Sequence, residues 1–165
     1  MMQSRIGRNV RRAAVAAAVA CGFAALPAAL ASADPGPGSL YFHYGDTTCV
    51  LNDGGGFICE FGGPYLPPNA RQTVAGAQFP LPFPVQQVSY EGNPIFPAHP
   101  SFAPKSATVL PGGNPDINDV ATGQGAWGPY VEFGGTRCEV SFRASFSCSS
   151  GDHGFSTWWN NLAIR

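Results

Sequence analysis

The chain has 165 residues and a net charge of −1; 12% of its residues are charged, 44% are hydrophobic, and five are cysteines. The basic residues form no stripe after position 12, so the clustered Lys and Arg that nucleic-acid binding needs are missing. The sequence therefore predicts no nucleic-acid partner, and it suggests no cofactor.

The first predicted element is a signal peptide over residues 1–33. Arginines precede an apolar run over 13–30, and small residues at 31–33 form the pattern that a signal peptidase cleaves. We predict cleavage after Ala33 and export to the cell envelope or the extracellular space. The remaining residues, 34–165, are predicted to form a single domain with five basic against ten acidic residues, which disfavours anionic membrane surfaces.

Cys21 within this leader offers an alternative. The segment Ala18-Val19-Ala20-Cys21 resembles a lipoprotein box, which would place a lipid anchor on the cysteine. However, the usual leucine is absent from the first position, and the chain after Cys21 continues as apolar sequence instead of a polar tether. We therefore favour release of the mature chain over anchoring.

The first predicted hairpin lies early in the mature chain. Two β-prone runs flank the segment Asn52–Gly56, whose residue types favour a tight turn. Folding the chain symmetrically about Gly54 places Cys49 opposite Cys59. Directly opposed residues on antiparallel strands lie close enough for a disulfide.

The middle region, residues 63–129, is rich in proline, which disfavours helix and removes hydrogen-bond donors from a sheet. We predict mostly irregular, extended structure with short strands at Val85–Tyr90 and Ala107–Leu110. The region is predicted to wrap the β core because it carries apolar side chains, namely Phe79, Phe83, Phe96 and Phe102. A polyproline ligand for a partner protein is the alternative interpretation.

Residues 130–151 repeat features of residues 41–62 at an offset of 89 positions. Five positions besides the cysteines are identical, which favours two similar structural units. Apolar and polar residues alternate from Cys138 to Cys148, as in a half-buried strand. One straight strand would separate these cysteines by about 33 Å. The equal spacing in both units instead favours a second hairpin that bends near Ser141–Ala144.

The four cysteines after the leader are predicted to form disulfides. An even number of cysteines in a small exported domain is typical of disulfides, and the C-x9-C spacings do not suit a zinc site. The local pairs Cys49–Cys59 and Cys138–Cys148 are preferred. The two crossed pairings, which would tie the hairpins together, stay open.

The C-terminal residues predict a closing strand over Phe155–Trp159, followed by a turn at Asn160-Asn161. Adjacent residues of a strand face opposite sides, so we expect either Trp158 or Trp159 to fill the core and the other to reach the surface. The exposed ring would belong to a flat platform for a glycan or a lipid, such as a cell-wall glycan or another envelope component. The other members of this predicted platform are Tyr41, Tyr44 and Tyr130. Burial of both tryptophans is the alternative.

His153 is the strongest catalytic candidate. With Asp152 and a nearby serine it supplies the residue types of a hydrolytic triad, but closeness in sequence does not establish the required geometry. A nucleophile elbow is absent from the sequence, and disulfide bonding would leave no free thiol. His43 and His99 share no ligand spacing with His153, so no metal site is predicted.

The ending Asp152-His153-Gly154-Phe155, which follows the pair Cys138…Cys148, resembles the end of uncharacterised secreted actinobacterial proteins. In these proteins a Cys-to-Cys hairpin leads into Gly-His-Gly-Phe, and an earlier pair, matched here by Cys49…Cys59, also occurs. This chain has Asp152 in place of the glycine before the histidine. The resemblance covers less than a third of the mature chain and implies export and a hairpin fold, without an activity.

These patterns together predict a mainly β, disulfide-stapled domain built around two similar hairpins, with a proline-rich irregular middle. We predict a monomeric, exported binding or structural protein of the cell envelope or extracellular space that has no catalytic activity. A small secreted hydrolase that uses His153 is the alternative.

Overall fold

A computed structural model of the protein describes residues 38–165. The predicted signal peptide and Cys21 lie outside these residues. Within the described part, the chain forms the strands β1 (Ser39–Tyr44), β2 (Thr47–Asn52), β3 (Phe57–Tyr65), β4 (Ala70–Val74), β5 (Ala77–Pro80), β6 (Val85–Tyr90), β7 (His99–Pro100), β8 (Gly123–Gln124), β9 (Pro129–Phe133), β10 (Thr136–Ser141), β11 (Ser145–Ser150), β12 (His153–Trp158) and β13 (Asn161–Ile164). The prediction of a mainly β fold is confirmed.

The strands form two sheets. The five-stranded sheet has the order β1–β2–β3–β6–β7, and the eight-stranded sheet has the order β5–β4–β13–β12–β11–β10–β9–β8. Neighbouring strands are antiparallel except β13 and β4, which run parallel. Residues 38–165 contain no helix that is both long and apolar enough to span a bilayer.

Both predicted hairpins form, and each is closed by its own disulfide. Cys49 pairs in register with Cys59, and Cys138 with Cys148, with Cα atoms 4.2 Å and 4.0 Å apart respectively. The local pairing, which the sequence favoured without excluding the crossed ones, is therefore the one formed. The second hairpin bends in the predicted place, through a short 3-10 turn at Phe142–Ala144.

The internal repeat is visible in the fold. Strands β1–β2–β3 and β9–β10–β11 are both antiparallel meanders, and β2 and β10 have the same bounds once the offset of 89 is applied. The two copies face each other across the core, where the Sγ atoms of Cys59 and Cys148 lie 3.7 Å apart. These two cysteines occupy equivalent positions in the repeat. Equivalent atoms of the two copies are therefore in contact at the centre of the core.

The core lies between the two sheets and combines aromatic rings and cysteine sulfurs with aliphatic side chains. Phe155 on β12 is fully buried, and its ring contacts Phe57, Phe61 and Phe146 with ring centroids 5.3–6.1 Å apart. Phe42 from β1 meets Phe146 edge to face. Aromatic pairs in such geometries stabilise a fold beyond the area that they bury.

The middle region is more regular than the sequence predicted. The strand predicted at Val85–Tyr90 is β6, which extends the five-stranded sheet beyond β3. However, β4 and β5 were not predicted, and they extend the eight-stranded sheet by pairing β4 with the C-terminal β13. Six hydrophobic residues of the middle region are buried in the core: Ala70, Val85, Val88, Tyr90, Ala98 and Ile117. The middle region therefore supplies strands to both sheets.

Two predictions for the middle region are wrong. Residues 107–110 do not form a strand, because the side-chain amide of Asn114 bonds Leu110 N, Thr108 O and Phe42 O and so replaces a neighbouring strand. The phenylalanines expected to be covered are instead exposed by 38–84%. Phe79 lies on the edge strand β5, and the other three lie in segments that belong to neither sheet.

Candidate binding groove

The two copies of the repeat approach each other at two ends of the core, one at each hairpin turn. At one of these ends the two copies are in tight contact, so that this end is closed. There the first hairpin turn packs so tightly against Gly134 that a Cβ atom on this glycine would lie 2.0 Å from the Asn52 carbonyl oxygen. Across the same contact, the Thr136 hydroxyl donates a 2.8 Å hydrogen bond to the Gly55 carbonyl oxygen. Glycine permits this approach because it has no side chain.

The other end is open. By the offset of 89, Gly45 corresponds to Gly134, while Arg143-Ala144 correspond to Gly54-Gly55 of the first hairpin turn. Among residues 38–165, no heavy atom apart from those of Gly45 and its two chain neighbours lies within 4 Å of where a Cβ of Gly45 would be. A hairpin turn that carries side chains cannot approach the backbone of the other copy as closely as a glycine turn can. The two turns therefore leave a groove of about 460 Å³ between them.

This open groove is lined by Tyr44–Thr47, by Arg143–Phe146, and by Tyr65, Thr157 and Trp159. Phe146 and Thr157 are buried and form its floor. Tyr44 stacks on the Phe146 ring, with the centroids 5.5 Å apart. Burial raises the pKa of Tyr65 above the usual 10.0, against an opposite effect of the Thr157 hydroxyl, so this phenol remains a hydrogen-bond donor at neutral pH.

The backbone around the open groove is strained. Arg143, Ala144 and Trp159 have φ values of 57°, 58° and 55°. These values lie in the left-handed region, which residues other than glycine rarely adopt. Of the described residues, Ala75 is the one other non-glycine residue with a positive φ. Strained residues of this kind tend to cluster at functional sites. Three such residues around one groove therefore favour a function for it.

Replacing Ala144 with glycine is expected to stabilise the fold by about 0.5–1 kcal/mol, because relief of the left-handed strain exceeds the added freedom of the unfolded chain. The change in the urea unfolding midpoint measures this effect. Ala163→Gly in β13 is the matched control and should destabilise by a similar amount. Destabilisation by both variants would show that Ala144 is not strained.

Exposed aromatic side chains continue the groove onto the surface. Trp159 is 73% exposed and Trp158 56% exposed, so the prediction that either of them fills the core is wrong. Trp158 is the last residue of β12 and Trp159 lies in the turn that follows, so strand alternation does not apply to this pair. Trp127 packs edge to face against Phe142, with ring centroids 4.8 Å apart, beside the second hairpin bend.

Two residues of opposite charge line the open groove. They are Asp46 and Arg143, and among the described residues neither has an ion-pair partner. The Arg143 Cζ atom lies 5.1 Å from the centroid of the Phe142 ring. Both charged groups are thus available for hydrogen bonds to a ligand.

The structure separates the tyrosines that the sequence grouped with the tryptophans. Tyr44 lines the open groove, whereas Tyr41 and Tyr130 do not. Tyr130 lies under the Arg137 guanidinium, whose Cζ atom is 3.6 Å from the ring centroid. The predicted platform is therefore replaced by a groove that shares with it Tyr44 and Trp159.

His153 lies outside the open groove. Its Nε2 atom is 3.0 Å from the Pro94 carbonyl oxygen, to which it donates a hydrogen bond, and its ring stacks on Tyr90 at 5.1 Å. Among the described residues, no side-chain hydrogen bond joins its imidazole to Asp152, Ser149 or Ser150. His153 is the first residue of β12, and its ring is held by its neighbours.

Three cysteine sulfurs lie within 4.8 Å of one another, namely those of Cys49, Cys59 and Cys148. This cluster arises because the two disulfides stack in the core. Since each of these sulfurs is bonded to another cysteine, none is a thiolate that could bind a metal. The cluster is therefore a feature of the core packing.

Sequence reasoning missed Tyr65, Trp127 and Arg143. The bend at Arg143 carries no glycine or asparagine to signal a left-handed backbone, and Tyr65 reaches the groove only through long-range packing of β3. Comparisons with protein families, with curated proteins and with solved structures found no match to this chain. The case for a function therefore depends on the open groove itself.

Proposed function

We propose that this chain is an exported binding protein without catalytic activity, and that its ligand site is the open groove. One observation carries the proposal: an unfilled groove is bordered by three strained residues and by exposed aromatic rings. Strained backbone persists only where the surrounding structure holds it, and exposed aromatic surface is characteristic of interaction sites.

The groove combines aromatic rings with polar groups, and more of its lining surface is polar than apolar. Polar groups in a ligand site fix the orientation of the ligand. Here Tyr44, Trp159 and the floor residue Phe146 supply apolar surface, while Asp46 and Arg143 supply hydrogen-bonding groups at the rim. Trp, Tyr and Arg are also the residues that most often dominate binding energies.

Two features support the proposed export. The leader over residues 1–33 has the pattern of a signal peptide, and the two disulfides are of a kind that persists in oxidising compartments. The resemblance of the chain's ending to secreted actinobacterial proteins agrees with this location. A fold held by covalent bonds and exposing a ligand groove suits a protein of the cell envelope or extracellular space.

Trp159→Ala is expected to weaken binding to cell-envelope fragments by at least about tenfold, because the ring that contributes the largest exposed apolar face would be lost. The measurement is co-sedimentation of the purified protein with envelope fragments. The protein is to be purified from the medium and the envelope of the producing cells. Its N-terminal residue should be Asp34, because cleavage is predicted after Ala33.

Phe102→Ala is the matched control, because Phe102 is 84% exposed and does not line the open groove. It should bind like the wild type. Alanine at position 159 keeps the same backbone strain as tryptophan, so the unfolding midpoint of Trp159→Ala should not change. Equal binding by both variants, or no binding by the wild type, would contradict the proposal.

A further inference from the structure

Trp159 borders three adjoining hollows, of which the open groove is one. The second hollow, of about 420 Å³, is lined by Gly63–Leu66, Asn69, Asn160 and Trp159. The third, of about 310 Å³, is lined by Arg143, Asn161 and the two tryptophans Trp158 and Trp159. Tyr65 is shared between the open groove and the second hollow, and Arg143 between the open groove and the third. The three hollows therefore form a continuous surface around one indole ring.

We infer that this surface binds an uncharged polysaccharide chain, with successive sugar units in adjoining hollows around Trp159. The inference rests on the proposed function, because it names the ligand class of the same site. A compact ligand would need one enclosed pocket, whereas three shallow hollows in series suit a ligand that repeats along its length.

The side chains in the hollows match the two kinds of surface that a sugar ring presents. A pyranose ring has an apolar C–H face, which packs on an aromatic face, and a rim of hydroxyl groups. Both tryptophans are more than half exposed and offer such aromatic faces. Amide side chains, which both donate and accept hydrogen bonds to hydroxyls, stand beside them at Asn69, Asn160 and Asn161.

The charges of the site favour an uncharged ligand. Asp46 and Arg143 together contribute no net charge to the open groove. Residues 38–165 as a whole carry nine acidic against five basic side chains, so their field repels polyanions such as nucleic acids and phosphate-rich polymers. A neutral chain meets no such repulsion, and both charged side chains can form hydrogen bonds to its hydroxyl groups.

The inference predicts that affinity depends on chain length. The probes are neutral chito-, cello- and malto-oligosaccharides from monosaccharide to hexasaccharide, titrated into the full mature protein by calorimetry. For at least one series, affinity should rise about tenfold or more with length and then level off once the chain covers the three hollows.

Two variants of the full mature protein show which hollows bind the oligosaccharides. Trp159→Ala should abolish measurable binding of every oligosaccharide, because Trp159 borders all three hollows. Trp158→Ala should weaken the longer oligosaccharides several-fold and leave the shorter ones unchanged, because Trp158 lines only the third hollow. Phe102→Ala should match the wild type throughout.

Heparin and a proline-rich peptide serve as competing probes. Tight binding of either one at Trp159, with none of the oligosaccharides bound, overturns the polysaccharide inference and leaves the proposed binding function intact. Binding of oligosaccharides without dependence on length or on Trp158 also overturns it. If envelope fragments fail to bind as well, the proposed function itself is wrong.

Discussion

Reduction of both disulfides is expected to lower the free energy of unfolding by about 5 kcal/mol, because each bond closes a loop of about ten residues and contributes roughly 2.5–3 kcal/mol in the chain-entropy model. Single domains are stable by only about 5–15 kcal/mol in total. The loss is therefore at least about a third of the total stability, and the reduced chain should unfold at a clearly lower temperature. Thermal unfolding followed by circular dichroism, with and without a phosphine reductant, measures the difference.

Variants that remove one disulfide at a time separate the two contributions. One double variant combines Cys49→Ala with Cys59→Ala, and the other combines Cys138→Ala with Cys148→Ala. The free energy of unfolding should fall by about 3 kcal/mol in each. The two losses are not expected to add independently, because the sulfurs of Cys59 and Cys148 are in contact. A chain that titrates four free thiols and still unfolds at the original temperature would refute the stabilising role.

Phe155→Ala is expected to destabilise the fold by about 3–5 kcal/mol, the usual cost of removing a buried phenylalanine ring. The ring is fully buried between the sheets and contacts phenylalanines from both of them. Its loss would leave a cavity that rigid strands on either side cannot close. The urea unfolding midpoint, taken with an unchanged slope, measures the loss.

Two comparisons test the explanation for Phe155. Phe155→Leu keeps most of the side-chain volume and should lose clearly less stability than Phe155→Ala. Phe102→Ala removes a ring that is 84% exposed and should change the stability by less than about 0.5 kcal/mol. Similar losses at the two positions would show that cavity formation in the core is not the cause.

Local signals explain why the sequence predicted the hairpins correctly. The Asn52–Gly56 turn, the two C-x9-C spacings and the alternation after Cys138 each specify pairing between residues close in the chain. Cys49 and Cys138 consequently pair with the predicted partners. Strand β6 was also predicted correctly, since Val85–Tyr90 is a β-prone run bounded by proline and glycine.

The groove could not be predicted because it depends on long-range packing. The parallel pairing of β4 with the C-terminal β13 joins residues about 90 positions apart, and no local pattern specifies it. The turn that places Trp159 on the surface interrupts the alternation expected of a strand. The left-handed bend at Arg143-Ala144 lacks glycine, and its strain is compensated only by the assembled fold.

The two copies of the repeat, which meet at the Cys59–Cys148 contact, differ in their hairpin bends. The glycine-rich bend at residues 52–56 closes the contact between the copies at one end, while its counterpart at residues 143–146 borders the open groove, the proposed ligand site. Engineering of new ligand preferences should therefore begin at that second bend. Substitutions there would change the lining of the open groove. The close contact at Gly134 and the two disulfides would keep the rest of the fold intact.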